Sequence, residues 1–405
     1  MYPSRLCTDG ALWPNDRSSL GQHRHHDTQR LSSALSSHGR RTLWPCNPRL
    51  DELVCAPLFQ EQYYGSVSGG GLGASGAGRA NGGHVGPVGG RNTDGAPRFD
   101  QAVRPGGYLW WYVDALSDDG QYGLTIIAFV GSVFSPYYHW AFARDPQTNP
   151  ENHCCINVAL YGRGTRRWAM TERSKRHMSR STDYFQVGPS DLRWDSNCLE
   201  ITLKERSVPL GQKIAGKIRV FPDQLFHFIT PLDQEARHHW GPIAPSARVE
   251  VHLEAPKLTW QGHAYLDSNE GEEPIVGGFT EWDWSRANMR DGSVSVLYDI
   301  REKSGVERVL ALKFNPDRSV TEFEAPPRQT LPKAFWRVGR SICSDAGEPP
   351  RVLQTLEDTP FYIRSVVEST ISGERVVSMH ETLNVPRLDS TSTRLMLPFK
   401  MPRVA

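Results

Sequence analysis

The segment GGYLWWYVDALSDDGQYGLTIIAF, residues 106–129, has a related segment that begins 171 residues later, GGFTEWDWSRANMRDGSVSVLYDI at residues 277–300. Both segments run from a Gly-Gly pair through an aromatic residue and a Trp to an Asp-Gly turn, and both end in an alternating strand. Short runs rich in Val, Ile, Tyr and Phe, separated by Gly, Pro, Asp and Asn, are typical of antiparallel β proteins. The repeat therefore predicts an all-β fold with two related domains in tandem.

The rest of the chain divides into three predicted parts. Residues 1–100 include the run GSVSGGGLGASGAGRANGGHVGPVGG, which has little apolar surface to bury, so this Gly/Ser-rich segment is predicted to be disordered. A first β domain is expected over residues 101–259 and a second over residues 260–405. The uncharged run at residues 122–143 is interpreted as a buried strand and a loop, because Pro136 and His139 do not suit a membrane-spanning helix.

Composition excludes several classes of protein. The net charge of +1 gives no reason to expect a nucleic-acid partner. The seven cysteines are odd in number and contain no C-x-x-C pair, which favours reduced thiols in a cytoplasmic protein over a zinc site or a disulfide framework. The polar N-terminal residues do not resemble a signal peptide.

Two stretches carry residues that suit acid–base chemistry. In HAYLDSNEG, residues 263–271, an extended chain places Tyr265 and Asp267 on one face together with His263. In ARHHWGP, residues 236–242, the same alternation places His238 and Trp240 on one face. Such a polar face either meets water or forms part of a pocket.

Other sites are less well supported by the residue pattern. Six potential metal ligands, His238, His239, His252, Glu254, His263 and Asp267, have no recognised ligand spacing. The adjacent Cys154 and Cys155 are interpreted as buried, unreactive thiols, and no G-x-S-x-G or phosphate-binding motif is present. The twelve Trp and thirteen Tyr residues suit either a packed core or a long apolar pocket lined by rings.

The repeat segments, ARHHWGP and GHAYLDSNEG together resemble the carotenoid 1,2-hydratases, or hydroxyneurosporene synthases, of photosynthetic bacteria, over about residues 100–400. The resemblance implies a tandem pair of lipocalin-like antiparallel β-barrels. It also implies that water is added to the terminal 1,2 double bond of acyclic carotenes such as neurosporene and lycopene, without a redox cofactor or a metal. The family's functional residues correspond to His238, Trp240, Tyr265 and Asp267.

The implied reaction gives each of these four residues a role. Burial would raise the pKa of Asp267 and keep it protonated as the general acid. The rings of Trp240 and Tyr265 would stabilise the resulting tertiary cation, and His238 would position and deprotonate the water. A lipocalin-like carotenoid or lipid carrier without catalysis is the alternative function on the same fold.

The implied substrate also predicts where the protein works. A C40 hydrocarbon resides in the bilayer, so peripheral contact with the inner or photosynthetic membrane is expected, together with association with other carotenoid-biosynthesis enzymes. An aromatic loop at SPYYHW, residues 135–140, and the C-terminal RLMLPFKMPRVA, residues 394–405, could make that contact. The C-terminal segment is equally well interpreted as a final strand with a frayed end.

Overall fold

Two curled antiparallel sheets make up most of the computed structural model, which describes residues 89–405. The strands of the first half of the chain are β1 (Tyr108–Ser117), β2 (Gly123–Val130), β3 (Cys155–Tyr161), β4 (Arg167–Met170), β5 (Glu172–Arg173), β6 (Met178–Arg180), β7 (Tyr184–Val187), β8 (Ser190–Asp195), β9 (Cys198–Arg206), β10 (Lys213–Pro222), β11 (Thr230–Pro231), β12 (His238–Ala255) and β13 (Lys257–Gly271). They form a sheet in the order β4-β3-β2-β1-β13-β12-β10-β9-β8-β7-β6, with β11 beside β12 and β5 outside it.

The second sheet repeats the first at smaller size. Its half of the chain contains β14 (Phe279–Asn288), β15 (Val294–Glu302), β16 (Glu307–Phe314), β17 (Val320–Glu322), β18 (Arg328–Thr330), β19 (Ser341–Cys343), β20 (Arg351–Asp358), β21 (Tyr362–Ile371), β22 (Glu374–Asn384) and β23 (Arg403–Val404). The order β17-β16-β15-β14-β22-β21-β20 matches β4-β3-β2-β1-β13-β12-β10, so the predicted tandem all-β architecture is confirmed.

The two repeat segments form equivalent strands that face each other between the sheets. A β-bulge between Phe279 and Glu281 adds one residue to β14, so Trp282 and Trp284 correspond to Trp110 and Tyr112. The ring of Tyr112 meets the ring of Trp284 edge to face, with centroids 5.7 Å apart. The repeat thus builds the layer in which the two sheets pack together.

Alternation along β1 explains why this strand is apolar on both faces. Leu109, Trp111 and Val113 point into the core of the first sheet, whereas Trp110 and Tyr112 belong to the layer between the sheets. Because both faces are buried, the strand is a nearly continuous apolar run rather than a regular alternation of apolar and polar residues.

The predicted division at residues 259 and 260 lies within β13, which pairs with β1 and β12 of the first sheet. The chain passes to the second sheet only after Gly271. Strand pairing alone does not define domains, and the division into two domains stays a prediction. Residues 89–100 were predicted to be disordered with the Gly-rich segment, yet Phe99 and Arg91 are buried. Residues 1–88 lie outside the described residues.

Four short helices accompany the sheets: α1 (Pro136–Arg144), α2 (Ile275–Gly278), α3 (Val385–Asp389) and α4 (Thr391–Lys400). The expected aromatic loop at residues 135–140 is therefore wrong, because Ser135 caps α1 by accepting a hydrogen bond from the Tyr138 amide. The predicted C-terminal strand is also wrong over most of its length, because Ser390 caps α4 in the same way. Only Arg403–Val404 is a strand there, paired with β5.

The uncharged run at residues 122–143 contains the fully buried strand β2 and helix α1. None of the helices in residues 89–405 has the length and apolar character needed to cross a membrane.

Candidate active site

A cavity opens between the two sheets, and aromatic rings form much of its wall. The cavity has a volume of about 1280 Å³, which includes the solvent space at its open mouth. Strands β1–β4, β12 and β13 supply one side, and β14, β15 and β20–β22 supply the other. The lining rings include Trp110, Tyr112, Phe129, Trp240, Trp284 and Tyr298.

Asp267 is a buried acid on this wall, and both of its hydrogen-bond donors bind the same oxygen. Trp240 donates from Nε1 and Tyr265 donates from its hydroxyl to Oδ2, each over 2.8 Å. Oδ1 has no partner among residues 89–405. Burial raises the pKa of Asp267 to about 7, although the two hydrogen bonds lower it. Asp267 thus holds a proton near neutral pH, with Oδ1 free to carry it.

Strand pairing explains how three of the four predicted site residues meet. Tyr265 and Asp267 are two apart on β13 and therefore share a face. Trp240 lies opposite Asn269 on the neighbouring strand β12, so its indole reaches the same place. The predicted association of Trp240, Tyr265 and Asp267 matches the geometry of the described residues.

Arg91 supports this part of the sheet and was not predicted from the sequence. Its buried guanidinium donates to the carbonyl oxygens of Gly241 and Pro242 and to Oγ of Ser268, the last over 2.9 Å. These groups adjoin Trp240 on β12 and Asp267 on β13. Burial lowers the pKa of Arg91 to about 10, and the nearby Asp267 opposes that change. Only the Gly-rich composition around Arg91 was visible in the sequence.

His238 is fully buried but does not line the cavity formed by the described residues. Its Nδ1 lies 2.8 Å from the hydroxyl oxygen of Tyr108, and its Nε2 lies 3.5 Å from Oε1 of Glu273. Its ring packs on Phe279 with centroids 4.7 Å apart. Burial lowers the pKa of His238, so the imidazole is neutral at pH 7.

A second carboxyl group, Glu381 on β22, lies on the cavity wall and was not predicted. Tyr112 donates to its Oε1 over 2.6 Å, and Arg364 donates from Nε to the same oxygen over 2.7 Å. Arg364 is only 1% exposed and also bonds Glu357 over 3.1 Å. Glu381 therefore has a buried guanidinium as a direct hydrogen-bond partner.

The repeat contains a signal that could have identified Glu381. Asp267 lies opposite Tyr112 in the pairing of β13 with β1, and Glu381 lies opposite Trp284 in the pairing of β22 with β14. Since Tyr112 and Trp284 are equivalent, the two carboxyl groups occupy equivalent positions of the two sheets. The two residues lie far apart in the chain, and the β-bulge in β14 shifts the repeat by one residue. The sequence therefore does not show this relation directly.

Aromatic rings surround the two carboxyl groups closely. Tyr265 lies 5.2 Å from Trp284 and 6.2 Å from Tyr112 between ring centroids, and Trp240 lies 5.4 Å from Tyr298. Ring faces attract a cation by their quadrupole when water is excluded. The site can therefore combine a proton donor, a second carboxyl group and a cation-stabilising wall.

The other candidate sites do not assemble into a centre. No three His, Cys, Asp or Glu side chains converge as metal ligands would within residues 89–405, and His263 is exposed whereas His238 is buried. Cys154 and Cys155 are buried, and burial raises the pKa of the Cys154 thiol to about 12.

Exposed apolar side chains surround the mouth of the cavity. Trp336, Met396 and Lys400 line it where it reaches the surface. Beside them Phe335 is 84% exposed, Phe399 82% and Leu395 61%. We call the group Phe335, Trp336, Leu395, Met396 and Phe399 the mouth surface. Exposed cations near it in sequence are Lys333, Arg337, Arg387 and Lys400, whereas Arg394 is buried in an ion pair with Asp389.

Known structures include one with this fold. A crystal structure described as AttH from Nitrosomonas europaea matches with a TM-score of 0.51 and 16% identity, covering 70% of this chain and 93% of that chain. At this identity the likeness concerns the fold alone.

Sequence comparisons give a closer relation. Acyclic carotenoid 1,2-hydratases from Rubrivivax gelatinosus and Thiocapsa roseopersicina are 53% and 48% identical, over 98% and 100% of both chains in each comparison. That from Rhodobacter capsulatus is 38% identical over 69% of this chain and 98% of its own length. The model of the family described as carotenoid hydratase CrtC matches residues 126–405. This chain belongs to the carotenoid hydratase CrtC family.

Proposed function

We propose that the protein is an acyclic carotenoid 1,2-hydratase, which adds water to the terminal 1,2 double bond of carotenes such as neurosporene and lycopene. One observation carries the proposal beyond family membership: a buried Asp267 whose pKa is about 7 stands in an aromatic cavity. An unactivated alkene needs a proton donor of this kind, and an exposed Asp with a pKa of about 4 would be ionised at pH 7.

The first chemical step transfers the proton of Asp267 to C2 of the substrate. The electron pair of the double bond forms the new C–H bond, and C1 becomes a tertiary cation. Trp240 and Tyr265 then stabilise the newly ionised Asp267, because both already donate to Oδ2. The same donors therefore favour the product of the proton transfer.

The aromatic wall stabilises the cation at C1. A desolvated ring face contributes about 2 kcal/mol to binding a cation, and several rings converge here. The same rings exclude bulk water, which would otherwise ionise Asp267 before it reacts. Water then attacks C1 and loses a proton. His238, which the sequence analysis assigned to that water, stays a proposal for this step.

The reaction as written moves no electrons between substrate and protein, so we propose that it needs neither a redox cofactor nor a metal. Incubation of purified protein with lycopene and no additions should give a product heavier by one water. Addition of EDTA should leave the rate unchanged. Loss of activity in EDTA that zinc or another metal restores would contradict this part of the proposal.

We also propose that the mouth surface contacts the membrane in which the substrate resides. Large apolar side chains flanked by exposed cations suit an anionic bilayer surface. Their place at the cavity mouth would let one end of a carotene enter while the rest of the chain stays in lipid. The C-terminal segment predicted to make this contact begins at Arg394, but that side chain is buried. Lys400 and the exposed cations of the neighbouring segments supply the positive charge instead.

Co-sedimentation with anionic liposomes tests this contact. The double variant Phe335→Ser/Phe399→Ser should sediment less than the wild type and turn over carotene in liposomes more slowly. Val377→Ser is the control, since Val377 is also exposed but lies four residues along β22 from the nearest cavity-lining residue of that strand, Glu381, roughly 13 Å away. Equal sedimentation of wild type and double variant would favour delivery of the substrate by a carrier or a partner enzyme.

A further inference from the structure

The cavity holds a second carboxyl group whose surroundings are opposite to those of Asp267. Glu381 accepts hydrogen bonds from Arg364 and Tyr112, both at Oε1. Its side chain keeps 12% exposure, and both of its hydrogen bonds from residues 89–405 fall on Oε1. Oε2 is therefore the oxygen left for a water in the cavity, which Glu381 lines together with Asp267.

The position of Glu381 relative to the acid follows from Tyr112. The backbone of Tyr112 pairs with Asp267 across β1 and β13, and its hydroxyl reaches Glu381 on β22 of the other sheet. Tyr112 thus links the two carboxyl groups across the layer between the sheets. A substrate end held between the sheets would have the acid on one side and the carboxylate on the other.

Arg364 places a permanent positive charge beside this carboxyl group. The guanidinium is buried and is held by Glu381, Glu357 and the hydroxyl of Tyr161. A guanidinium does not give up its proton in this setting, so a cation always stands at Oε1 of Glu381. Asp267 accepts only from the neutral Trp240 and Tyr265, so the two carboxyl groups of one cavity have different partners.

We propose that Glu381 is a further catalytic residue, which binds the attacking water through Oε2 and accepts its proton. This inference rests on the proposed hydration reaction. Asp267 gives its proton to C2, and the oxygen of water then forms a bond to the cation at C1. One O–H bond of that water breaks, and its proton passes to Glu381. After product release the proton leaves Glu381 for solvent, and Asp267 takes one up, so the cycle consumes only water.

Reaction in D₂O separates formation of the cation from its capture. Asp267 then delivers a deuteron to C2, and a cation that water does not capture returns to alkene by losing a neighbouring hydrogen. The label stays in the substrate whenever the hydrogen lost is the original one on C2 or one from a methyl group on C1, rather than the deuteron itself. Glu381→Gln should lower hydration roughly 10²–10⁴-fold, the usual contribution of a general base. The labelled substrate should persist, so the ratio of exchange to hydration rises at least about tenfold. Glu381→Asp, which keeps the carboxylate, should return that ratio towards the wild-type value.

Two further variants make the result specific. Glu368→Gln removes a carboxylate that pairs with Arg375 and Arg351 and lies off the cavity, so it should leave the rate and the ratio unchanged. His238→Gln tests the other candidate for the water. A raised exchange ratio in that variant, with none in Glu381→Gln, would overturn the proposal.

Equal losses of exchange and hydration in Glu381→Gln would also overturn it, because they would give Glu381 an electrostatic or structural role alone. Failure of the proposed function has a different signature. In that case the wild-type protein would neither hydrate an acyclic carotene nor label it from D₂O.

Discussion

The strand pair β1–β13 of the first sheet and the pair β14–β22 of the second hold equivalent positions, and each carries one carboxyl group into the same cavity. On β13, Asp267 accepts hydrogen bonds from two neutral donors, and within residues 89–405 no cation bonds to it. On β22, Glu381 accepts a hydrogen bond from the buried guanidinium of Arg364. The same place in a duplicated fold therefore has neutral donors in one copy and a buried cation in the other.

This difference teaches that equivalent backbone positions can carry carboxyl groups with different partners. Burial disfavours the charged form of a carboxyl group. The indole and phenol donors offset that cost only in part for Asp267, whose pKa is about 7, whereas Glu381 has a guanidinium beside it. A duplicated sheet needs few substitutions to give its two equivalent carboxyl groups different surroundings.

Asp267→Asn should have the largest effect on activity. The amide keeps the size and can still accept from Trp240 and Tyr265, but it cannot supply the proton. Hydration and deuterium exchange should both fall by roughly 10²–10⁴-fold or more, as expected for loss of a general acid. Product analysis by mass spectrometry measures both, and near wild-type turnover would remove Asp267 from this role.

Arg364→Gln should have the largest effect on stability. It leaves Glu381 and Glu357 without their buried cation, and breaking such a pair costs about 3–5 kcal/mol. Denaturant unfolding should show a loss of this size at pH 7. The exposed ion pair of Arg375 with Glu368 gives the control, since Arg375→Gln should cost far less stability than Arg364→Gln. Similar losses in the two variants would contradict the paired state of Glu381.

Asp267 should also make the stability of the folded protein depend on pH. Its pKa rises from 3.8 to about 7 on folding, so the folded protein binds the proton more tightly than the unfolded chain. Its contribution to stability is therefore complete below about pH 4 and is lost as pH rises through about 7. Asp267→Asn abolishes this dependence, so between pH 5 and pH 8 the variant should gain about 3 kcal/mol of stability relative to wild type. A constant difference across this range would contradict the raised pKa.

Tyr265→Phe should shift the pH dependence of hydration modestly. Loss of the hydroxyl removes a donor that favours ionised Asp267, so the pKa of Asp267 rises further. The pH at which activity declines on the alkaline side should move upward by about one unit. Tyr112→Phe loses a hydroxyl that donates to Glu381 instead, so the alkaline decline should stay in place. A shift of equal size in both variants would contradict the separate assignment of the two donors.

Deletion of residues 1–88 should have the smallest effect. The Gly/Ser-rich composition of that segment offers little apolar surface for a core. Deletion of residues 1–100 should instead lower both activity and stability, because it removes Arg91 and the fully buried Phe99. Retained activity in the longer deletion would show that Arg91 does not position Trp240 and Asp267.

The sequence predicts the surroundings of Asp267 on β13 better than those of Glu381 on β22. Alternation places Tyr265 and Asp267 on one face of HAYLDSNEG, and the family resemblance groups them with Trp240 of ARHHWGP. The two strands are neighbours in the chain and pair directly, which brings the three side chains together. Glu381 depends on a contact with Tyr112 that spans 269 positions and on a β-bulge that shifts the repeat by one residue. Alternation within single strands carries no information about such a contact between sheets.

Helices α1 and α4 and the role of Arg91 were not predicted from the sequence, for other reasons. Ser135 and Ser390 are N-cap residues before helices of only nine and ten residues, which bury few of their side chains, so periodicity gives a weak signal. Arg91 lies in a segment whose composition is typical of disordered chains. The role of Arg91 depends on carbonyl groups of β12 that only the folded sheet brings near it. Both misses follow from tertiary packing that local sequence does not specify.

The protonation state of Asp267 at neutral pH can be measured directly by infrared spectroscopy. Burial also raises the pKa of Asp283 to about 7, so the spectrum of Asp267→Asn must be subtracted from that of the wild type. The carbonyl stretch of a protonated carboxyl group should remain in the difference at pH 6 and disappear as pH rises through about 7. A difference spectrum in which that band is already absent at pH 5 would show an ionised Asp267 and contradict its role as the acid.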